Sequence, residues 1–490
     1  MIIVLGGGIS GLSAAYYAAN NAKNSAIILL EASSRVGGWI RSRKSPTGAI
    51  FEQGPRTVRP VGLAGKNTLN LVEDLQLSNK LIHIGPSHPA TRNRLIYADE
   101  TLHLLPSSLK GIFKTTSLLD RPLINCLWTD LTAPKVSKED ESVYNFVQRR
   151  LGQDVADNLI SPLICGICAG DARKISVNFL FKSLFEAEQK YGSIVKGVLA
   201  NRLKNIFSKS KNDAIKENNT DSESASLHLT LADRAQKEGW ALWSLEGGLE
   251  QLPQALANNL KKRGVNIQTE TKCEKLTFKS NRIELLINGN IQECSRIISS
   301  LPAKNLAELV REQYPILSAE LEAIPTVTVG VVNFEFQRDI LPLQAFGFLV
   351  PPKENLPLLG VIFDSCVFPQ KSSTVLTVMM GGAWFEKYFG PNPSEEHLLT
   401  TALDHTKKIL HIEEEPVAHN VAVLKDCIPQ HVVGHTQRIK RIHNYISARH
   451  IPLGLCGSSY QGVGLNDVIL SAKQAVCDIV QSNYGIAREM

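Results

Sequence analysis

The N-terminal stretch MIIVLGGGISGLSAAYY constrains the fold more than any other part of the chain. Ile2 to Leu5 is a short apolar, β-branched run, the pattern of a buried parallel strand. Leu12 to Tyr17 reads as helix, and the turn between them carries Gly6-x-Gly8-x-x-Gly11. In such a turn the first glycine permits the tight reversal, the second lets the backbone approach a pyrophosphate, and the third lets helix and strand pack closely. The helix N-terminus then offers free N–H groups and a partial positive charge to the phosphates. A G-x-G-x-x-G alone is weak evidence, but here a second strand, AIILLEA, follows the helix and ends at Glu31. A carboxylate there accepts hydrogen bonds from ribose hydroxyls, so the βαβ unit points to a bound dinucleotide.

The next residues narrow the choice. In EASSRVGGWIRS a second glycine pair, Gly37-Gly38, lies between Arg35 and Trp39. Ordinary nicotinamide enzymes place no second phosphate-facing loop there. The stretch resembles the R-x-G-G signature of the amine-oxidase-like flavoprotein superfamily, which implies FAD.

At 490 residues the chain is too long for one simple core, and two or three domains are expected. The formal net charge of +6 falls short of a nucleic-acid-binding signature and suits an acidic small substrate or an anionic membrane surface. The 9 cysteines follow no framework spacing, which argues for free thiols in a reducing compartment. Cys165-Gly-Ile-Cys168 lacks the context of a redox or zinc motif, and His431-x-x-x-His435 has no third ligand nearby, so no metal is expected. The chain opens directly on its first strand, so neither a secretory signal nor a cleavable presequence is expected. No run of 18 or more apolar residues occurs, so any membrane attachment is expected to be peripheral.

Organisation changes along the chain. From about Leu81 to Lys204 helical spacing prevails, with Val143, Phe146, Val147 and Leu151 on one face. Asn205 to Ser226 is polar and poor in large apolar residues, and reads as a disordered insertion. WALWSLEGGLEQLPQALANNLKKRGVNIQ then gives a turn, an amphipathic helix stopped at Gly264, and a strand. TVTVGVVNFEFQ and STVLTVMMGGAWF alternate as sheet strands, and GLCGSSYQGVGLNDVILSAKQAVCDIV reads as strand, glycine turn and helix. The expected fold is α/β, multidomain. It comprises a discontinuous Rossmann-like FAD-binding domain from residues 1–80, 228–300 and 438–490. A helical, membrane-associating domain covers 81–204, the insertion 205–226, and a mixed-sheet substrate domain 301–437.

The segments VLGGGISGL, RVGGWIRS, GPRTVRP, NRLIY, WSLEGGLEQLPQAL, KDCIPQ and SYQGVGLND together resemble the protoporphyrinogen oxidase family of the animal mitochondrial type, over nearly the whole chain. The resemblance implies oxidation of protoporphyrinogen IX to protoporphyrin IX, with oxygen as acceptor and hydrogen peroxide as product. It also implies a homodimer docked peripherally on the inner mitochondrial membrane. Arg94 matches a propionate anchor, and Gly166, Phe346, Leu349, Met379 and Ile428 match walls of the tetrapyrrole pocket. For FAD, held non-covalently, the matching positions begin with Gly6, Gly7, Gly8, Ile9, Ser10, Gly11, Glu31, Ala32 and Trp39. They continue with Gly54, Pro55, Arg56, Thr57, Cys273, Ser458, Val463, Gly464 and Leu465; Cys273 stands where the family pattern usually has valine. No catalytic side chain is expected, because the flavin is the hydride acceptor. Between Leu104 and Leu131, the apolar residues Phe113, Leu118, Leu119, Leu123, Ile124, Leu127 and Trp128 lie among Lys110, Lys114 and Arg121, a composition that fits a membrane-facing surface. The rival readings are a flavin amine oxidase, for which Tyr460 would contribute to an aromatic cage and Cys456 to a covalent flavin link, and a flavin-bound protein without turnover.

Overall fold

The computed structural model describes residues 1–22, 24–106, 118–119, 121–202, 229–368 and 373–481. The expected insertion at 205–226 lies outside them, as do Lys110, Phe113 and Lys114.

The first strand, Ile2–Leu5, is fully buried and sits in the middle of a five-stranded parallel sheet. The strand order is Leu453–Leu455, Arg296–Ser299, Ile2–Leu5, Ile27–Leu30, Asn266–Gln268. Distant parts of the chain are thus stitched into one sheet: Ile3 pairs with Ile28 on one side and Ile297 on the other. One face is covered by the helices Ile9–Asn21, Gln251–Lys262 and Leu465–Gln481, which enclose Leu12, Leu29, Leu256 and Ile469. The other face holds a three-stranded antiparallel sheet (Cys273–Phe278, Ile283–Ile287, Asn290–Cys294) and the helices Ala303–Val310 and Pro315–Glu322. Those two helices pack Leu306, Leu317 and Leu321 against Ile3 and Leu5. Residues 301–322 therefore share the core of the dinucleotide module and not that of the segment 323–437 with which the sequence reading grouped them.

The second large sheet has seven strands, in the order Ala418–Pro429, Thr326–Phe336, Thr374–Gly382, Leu358–Phe363, Gly347–Leu349, Leu95–Ala98, Thr101–Leu104. The last two strands correct the sequence reading, which assigned them to the helical region. Leu95 and Ile96 pair in parallel with Phe348 and Leu349, and a two-residue turn at Asp99-Glu100, both with positive φ, folds the hairpin back. A third unit is helical, with Val143, Tyr144, Phe146, Val147, Ile164 and Phe185 at its centre. Leu118 and Leu119 belong to this core, being 5% and 4% exposed, so the expectation that they face outward is corrected. No described helix is long and apolar enough to cross a membrane.

Candidate functional site

Two glycine loops meet at the carboxyl end of the parallel sheet. Gly37 N–H donates to Gly7 C=O over 2.8 Å, and Gly8 and Gly37 form an isolated parallel bridge. A Cβ on Gly11 would stand 1.8 Å from the carbonyl oxygen of Gly6, so only glycine lets the first helix sit this close to the strand. A Cβ on Gly8 would meet nothing nearer than Gly38 Cα at 3.8 Å, which leaves bare backbone facing the cleft. Gly8 is also the N-cap of helix Ile9–Asn21 and brings no side chain of its own, so the first N–H groups of the helix are open to a phosphate.

Glu31 stands beside this turn. Its carboxylate accepts from Gly7 N–H at 2.6 Å, from Ser33 N–H at 2.8 Å and from Ser33 Oγ at 2.6 Å. The Glu31 carbonyl accepts from Thr271 N–H at 2.9 Å, which brings the start of strand Cys273–Phe278 to the same end of the cleft. From the other side, Gly457 approaches Ser10, so the C-terminal turn that leads through Ser458 to Leu465 lies over the helix start. Gly6 to Gly11, Glu31, Cys273 and Ser458, separated by more than 400 positions, therefore gather around one groove. Its elements fit a dinucleotide: a bared turn, an uncapped helix N-terminus and a carboxylate beside the turn.

A cavity of about 530 Å³ continues from the second glycine loop toward edge strand Ala418–Pro429, lined by Arg35, Trp39, Arg41, Arg43, Gln53 and Asn420 among others. Trp39 is 44% exposed into this space. A Cβ on Gly54 would lie 2.0 Å from the Trp39 carbonyl oxygen, so Gly54 is needed for the two segments to cross.

The segment Glu52 to Thr57 is fastened on both sides. Val58 exchanges backbone hydrogen bonds of 2.9 Å with Trp243. Arg56 Nη1 donates to Asp364 Oδ1 at 2.9 Å, and Asp364 Oδ2 accepts from Thr377 Oγ1 at 2.7 Å. Thr377 accepts from Asn333 Nδ2 at 2.7 Å, and Asn333 also donates to the Glu52 carbonyl at 3.1 Å. Gln53 Nε2 donates to Asn420 Oδ1 at 3.1 Å. Sheet register makes this chain possible, since Asn333 is directly opposite both Thr377 and Asn420. The guanidinium of Arg56 is thus committed to Asp364, and what Arg56 offers the cleft is its backbone. The sequence reading missed Asn333, Asp364, Thr377 and Asn420. The available signal was an amide, Asn333, following the apolar run VGVV in the strand TVTVGVVNFEF.

Glu52 is buried beneath this segment, accepting from Leu249 N–H at 2.7 Å and Ser42 Oγ at 2.8 Å. Burial pushes its carboxyl up to about 7 against the pull of those bonds and of Arg56, and Asp364 pushes the same way as burial.

The residues matched to the tetrapyrrole pocket also converge. A Cβ on Gly166 would meet Leu349 Cδ2 at 2.7 Å. Met379 and Ile428 are half-buried and pack against the small cluster of Cys165, Ala169, Val329 and Leu359. Ile428 and Val463 both lean on the helical core, which joins the pocket wall to the C-terminal turn. Arg94 is half-buried, with its guanidinium 5.2 Å from the centre of the Phe346 ring. Burial and the like charge of Arg59 lower its hold on the proton; no carboxylate among the described residues offsets them. Arg94 is therefore a half-buried cation with no carboxylate partner among the described residues, lying over Phe346.

Two residues of the rival readings fall elsewhere. Tyr460 is 4% exposed within the core beneath the parallel sheet, not on the wall of the slot. Cys456 is fully buried, donates weakly to the Ser299 carbonyl at 3.7 Å, and has its thiol pushed up to about 12 by burial.

The flavin containing amine oxidoreductase family matches residues 9–480. The human protoporphyrinogen oxidase is 37% identical over 486 residues, spanning 98% of both chains. The enzyme of that name from Schizosaccharomyces pombe is 32% identical over 494 residues, with 96% of each chain covered. A crystal structure from Exiguobacterium sp. 255-15, provisionally assigned as a protoporphyrinogen oxidase, superposes with a TM-score of 0.77 at 24% identity over 98% of both chains. Cyclohexylamine oxidase from Brevibacterium oxydans shares the fold, with a TM-score of 0.66 at 13% identity over 98% of both chains. The chain belongs to the protoporphyrinogen oxidase family of the flavin-containing amine oxidoreductases, with FAD as its cofactor.

Proposed function

We propose that the chain oxidises protoporphyrinogen IX to protoporphyrin IX, with oxygen as acceptor and hydrogen peroxide as product. What supports this reading is the close packing of Gly166 on Leu349, the half-buried Met379 and Ile428 on one small apolar cluster, and the half-buried cation Arg94, which has no carboxylate partner among the described residues. A flat, apolar macrocycle with short carboxylate arms has that complementary shape and charge. One arm would take two charge-assisted hydrogen bonds from the guanidinium.

A methylene bridge between two pyrroles is a good hydride donor, because the cation left behind is conjugated with the pyrrole nitrogens. Bound FAD supplies the two-electron acceptor. The chain's own residues then have three tasks. Arg94 orients the macrocycle, Leu349 and Phe346 bound its plane, and the packed walls exclude water from the bridge. None of these tasks needs an acid–base side chain, in keeping with the absence of such a constellation in the sequence. Six electrons leave the substrate in three two-electron turnovers, each returned to one oxygen molecule. We assign the cofactor a non-covalent hold, a reading that the burial of the Cys456 thiol against the Ser299 carbonyl supports. We assign the chain a peripheral place on the inner mitochondrial membrane and a homodimeric state by likeness to its family.

The test is anaerobic. Addition of protoporphyrinogen to the purified yellow protein should bleach the flavin absorbance, and admission of air should restore it with porphyrin fluorescence and peroxide. A Bacillus subtilis relative, 28% identical, is named coproporphyrinogen III oxidase, so the four-carboxylate substrate is run in parallel. Faster bleaching by coproporphyrinogen, or by amines alone, overturns the assignment of substrate.

A further inference from the structure

The C-terminal turn that approaches the dinucleotide groove is held from behind by two histidines. His431 and His435 stack face to face, with ring centres 4.0 Å apart and planes inclined by 12°. His431 Nε2 lies 2.9 Å from the Ser458 carbonyl oxygen, and His435 Nε2 lies 3.4 Å from the Tyr460 carbonyl oxygen. A carbonyl can only accept, so each Nε2 carries the proton and each ring presents the same tautomer. The two donors reach alternate residues of a single turn. Both histidines are 5% exposed.

The pair sits where three units meet. The His431 carbonyl accepts from Ser176 N–H at 2.8 Å, and the edge of Phe179 meets the His431 ring at 4.9 Å, so the helical unit abuts one side. Asp140 clips the next residues by accepting from Gly434 N–H at 2.8 Å while also binding Ser176 Oγ at 2.7 Å. On the other side Gly457 N–H donates to Ser471 Oγ at 3.1 Å and Ala303 N–H donates to Ser459 Oγ at 3.2 Å. The turn is thus anchored at several points, but the carbonyls of Ser458 and Tyr460 depend on the imidazoles.

Plain packing does not explain this choice of residue. Apolar rings would fill the same space without leaving His435 Nδ1 buried and without a partner among the described residues. Stacking at this distance disfavours protonation of both rings together, since two cations would repel. Burial keeps both imidazoles below their ordinary range, and the neighbouring His431 and Arg438 add to it for His435, which is brought down to about 3.

We propose that His431 and His435 are positioning residues for the bound cofactor: their paired Nε2–H donors fix the Ser458–Tyr460 turn, and with it Val463 to Leu465, against the bound FAD. This rests on the proposed function and its family likeness, which sets Ser458 and Val463 to Leu465 among the FAD-binding positions.

The test compares FAD affinity and flavin optics among variants. His431→Phe and His435→Phe keep ring volume and stacking but lose the donor; each should weaken FAD binding about tenfold, as expected for one lost hydrogen bond, and alter the visible circular dichroism of the flavin. His431→Gln and His435→Gln place an amide N–H near the Nε2 position and should restore affinity to within about threefold. Unchanged FAD affinity and flavin optics with a lowered melting temperature would reduce the pair to ordinary packing and overturn the proposal. Glutamine variants as impaired as the phenylalanine ones would do the same. Should the phenylalanine proteins not fold, His435→Asn takes their place, because its amide ends short of the carbonyl. Equal FAD affinity for His435→Asn and His435→Gln then overturns the idea. A wild-type protein that binds no flavin would overturn the proposed function itself, whereas normal flavin binding by every variant would overturn only the role of the histidines.

Discussion

Arg56 and Asp364 form an ion pair of 2.9 Å, with both side chains about nine-tenths buried, that bridges the loop beside the dinucleotide groove and the seven-stranded sheet. The pair is the link through which one domain's glycine loop is registered on the other domain's strands, because Asp364 continues through Thr377 to Asn333. Asp364→Asn keeps the shape but leaves the guanidinium buried without its counter-charge. Breaking a buried pair in this way costs roughly 3 kcal/mol. The expected outcome is a lower melting temperature together with a lower ratio of flavin to protein absorbance. A variant that melts earlier but keeps its full flavin content would show that the pair serves the fold alone.

Arg94 is expected to serve the substrate and not the cofactor. Arg94→Ala should raise KM for the porphyrinogen, with a loss in kcat/KM on the order of 2 kcal/mol, or roughly thirtyfold. The flavin content should not change, since the Arg94 guanidinium lies over Phe346, a residue matched to the substrate pocket and not to the cofactor. Flavin titration alongside steady-state kinetics separates the two. Loss of flavin from this variant would place the residue in the wrong site.

Gly166 and Leu349 make a sharper test of the slot. The methyl group of Gly166→Ala would lie 2.7 Å from Leu349 Cδ2, so the leucine must move, and on the proposed function it would be displaced from its place as a pocket wall. The expected result is a severalfold rise in KM with little change in melting temperature. Leu349→Ala, combined with Gly166→Ala, should recover part of the loss, with a coupling of about 1 kcal/mol. Additive losses in the double variant would mean that the two residues do not share a wall.

Much of this was readable in advance where local chemistry decides. The strand, bared turn, helix and acidic residue from Ile2 to Glu31 announce themselves because each element is set by its neighbours in sequence. The same holds for the Gly37-Gly38 loop; Thr326–Phe336 and Thr374–Gly382 are strands as read, but their burial is nearly continuous and does not alternate. What stayed hidden depends on register between distant segments. Nothing near Asn333 says that Thr377 and Asn420 will stand opposite it, and nothing near Leu95 says that it will pair beside Phe348. Leu118 and Leu119 misled for a related reason. Apolar residues among cations fit a membrane face and a buried helical core equally well, and only packing decides which residues point inward.

Glu52 gives the protein a pH dependence of definite sign. Its carboxyl is raised from 4.5 to about 7, so the folded state holds a proton that the unfolded chain has released. The stabilisation is complete below pH 4.5 and is lost as pH rises through 7, an effect of roughly 3 kcal/mol at most. Glu52→Gln removes the titration while keeping hydrogen-bonding capacity toward Leu249 and Ser42. Chemical denaturation between pH 5 and pH 8 should therefore show a smaller fall in stability for the variant than for the wild type. Parallel curves would mean that Glu52 stays ionised in the folded protein.

The helix Ile124–Thr132 presents Leu127, Trp128 and Leu131 to solvent, and Trp128 is 71% exposed. That outward face is not a frayed end. Asp130, on the opposite side, is fully buried and bonds Arg150 Nε at 2.8 Å, Ser193 Oγ at 2.6 Å and Val195 N–H at 2.9 Å. The helix is therefore held rigidly with its apolar residues outward, and Arg121 lies exposed just before it. An interfacial surface of this kind buries its apolar side chains in the headgroup boundary and gains further from anionic lipid. The protein should float with vesicles containing anionic lipid, and a combined Leu127→Glu, Trp128→Glu variant should lose at least tenfold in partitioning, since each large apolar side chain contributes about 2 kcal/mol when buried. Activity toward a detergent-dispersed substrate should persist, because neither residue touches the slot. Equal flotation of the variant and the wild type would show that the membrane is met by some other face.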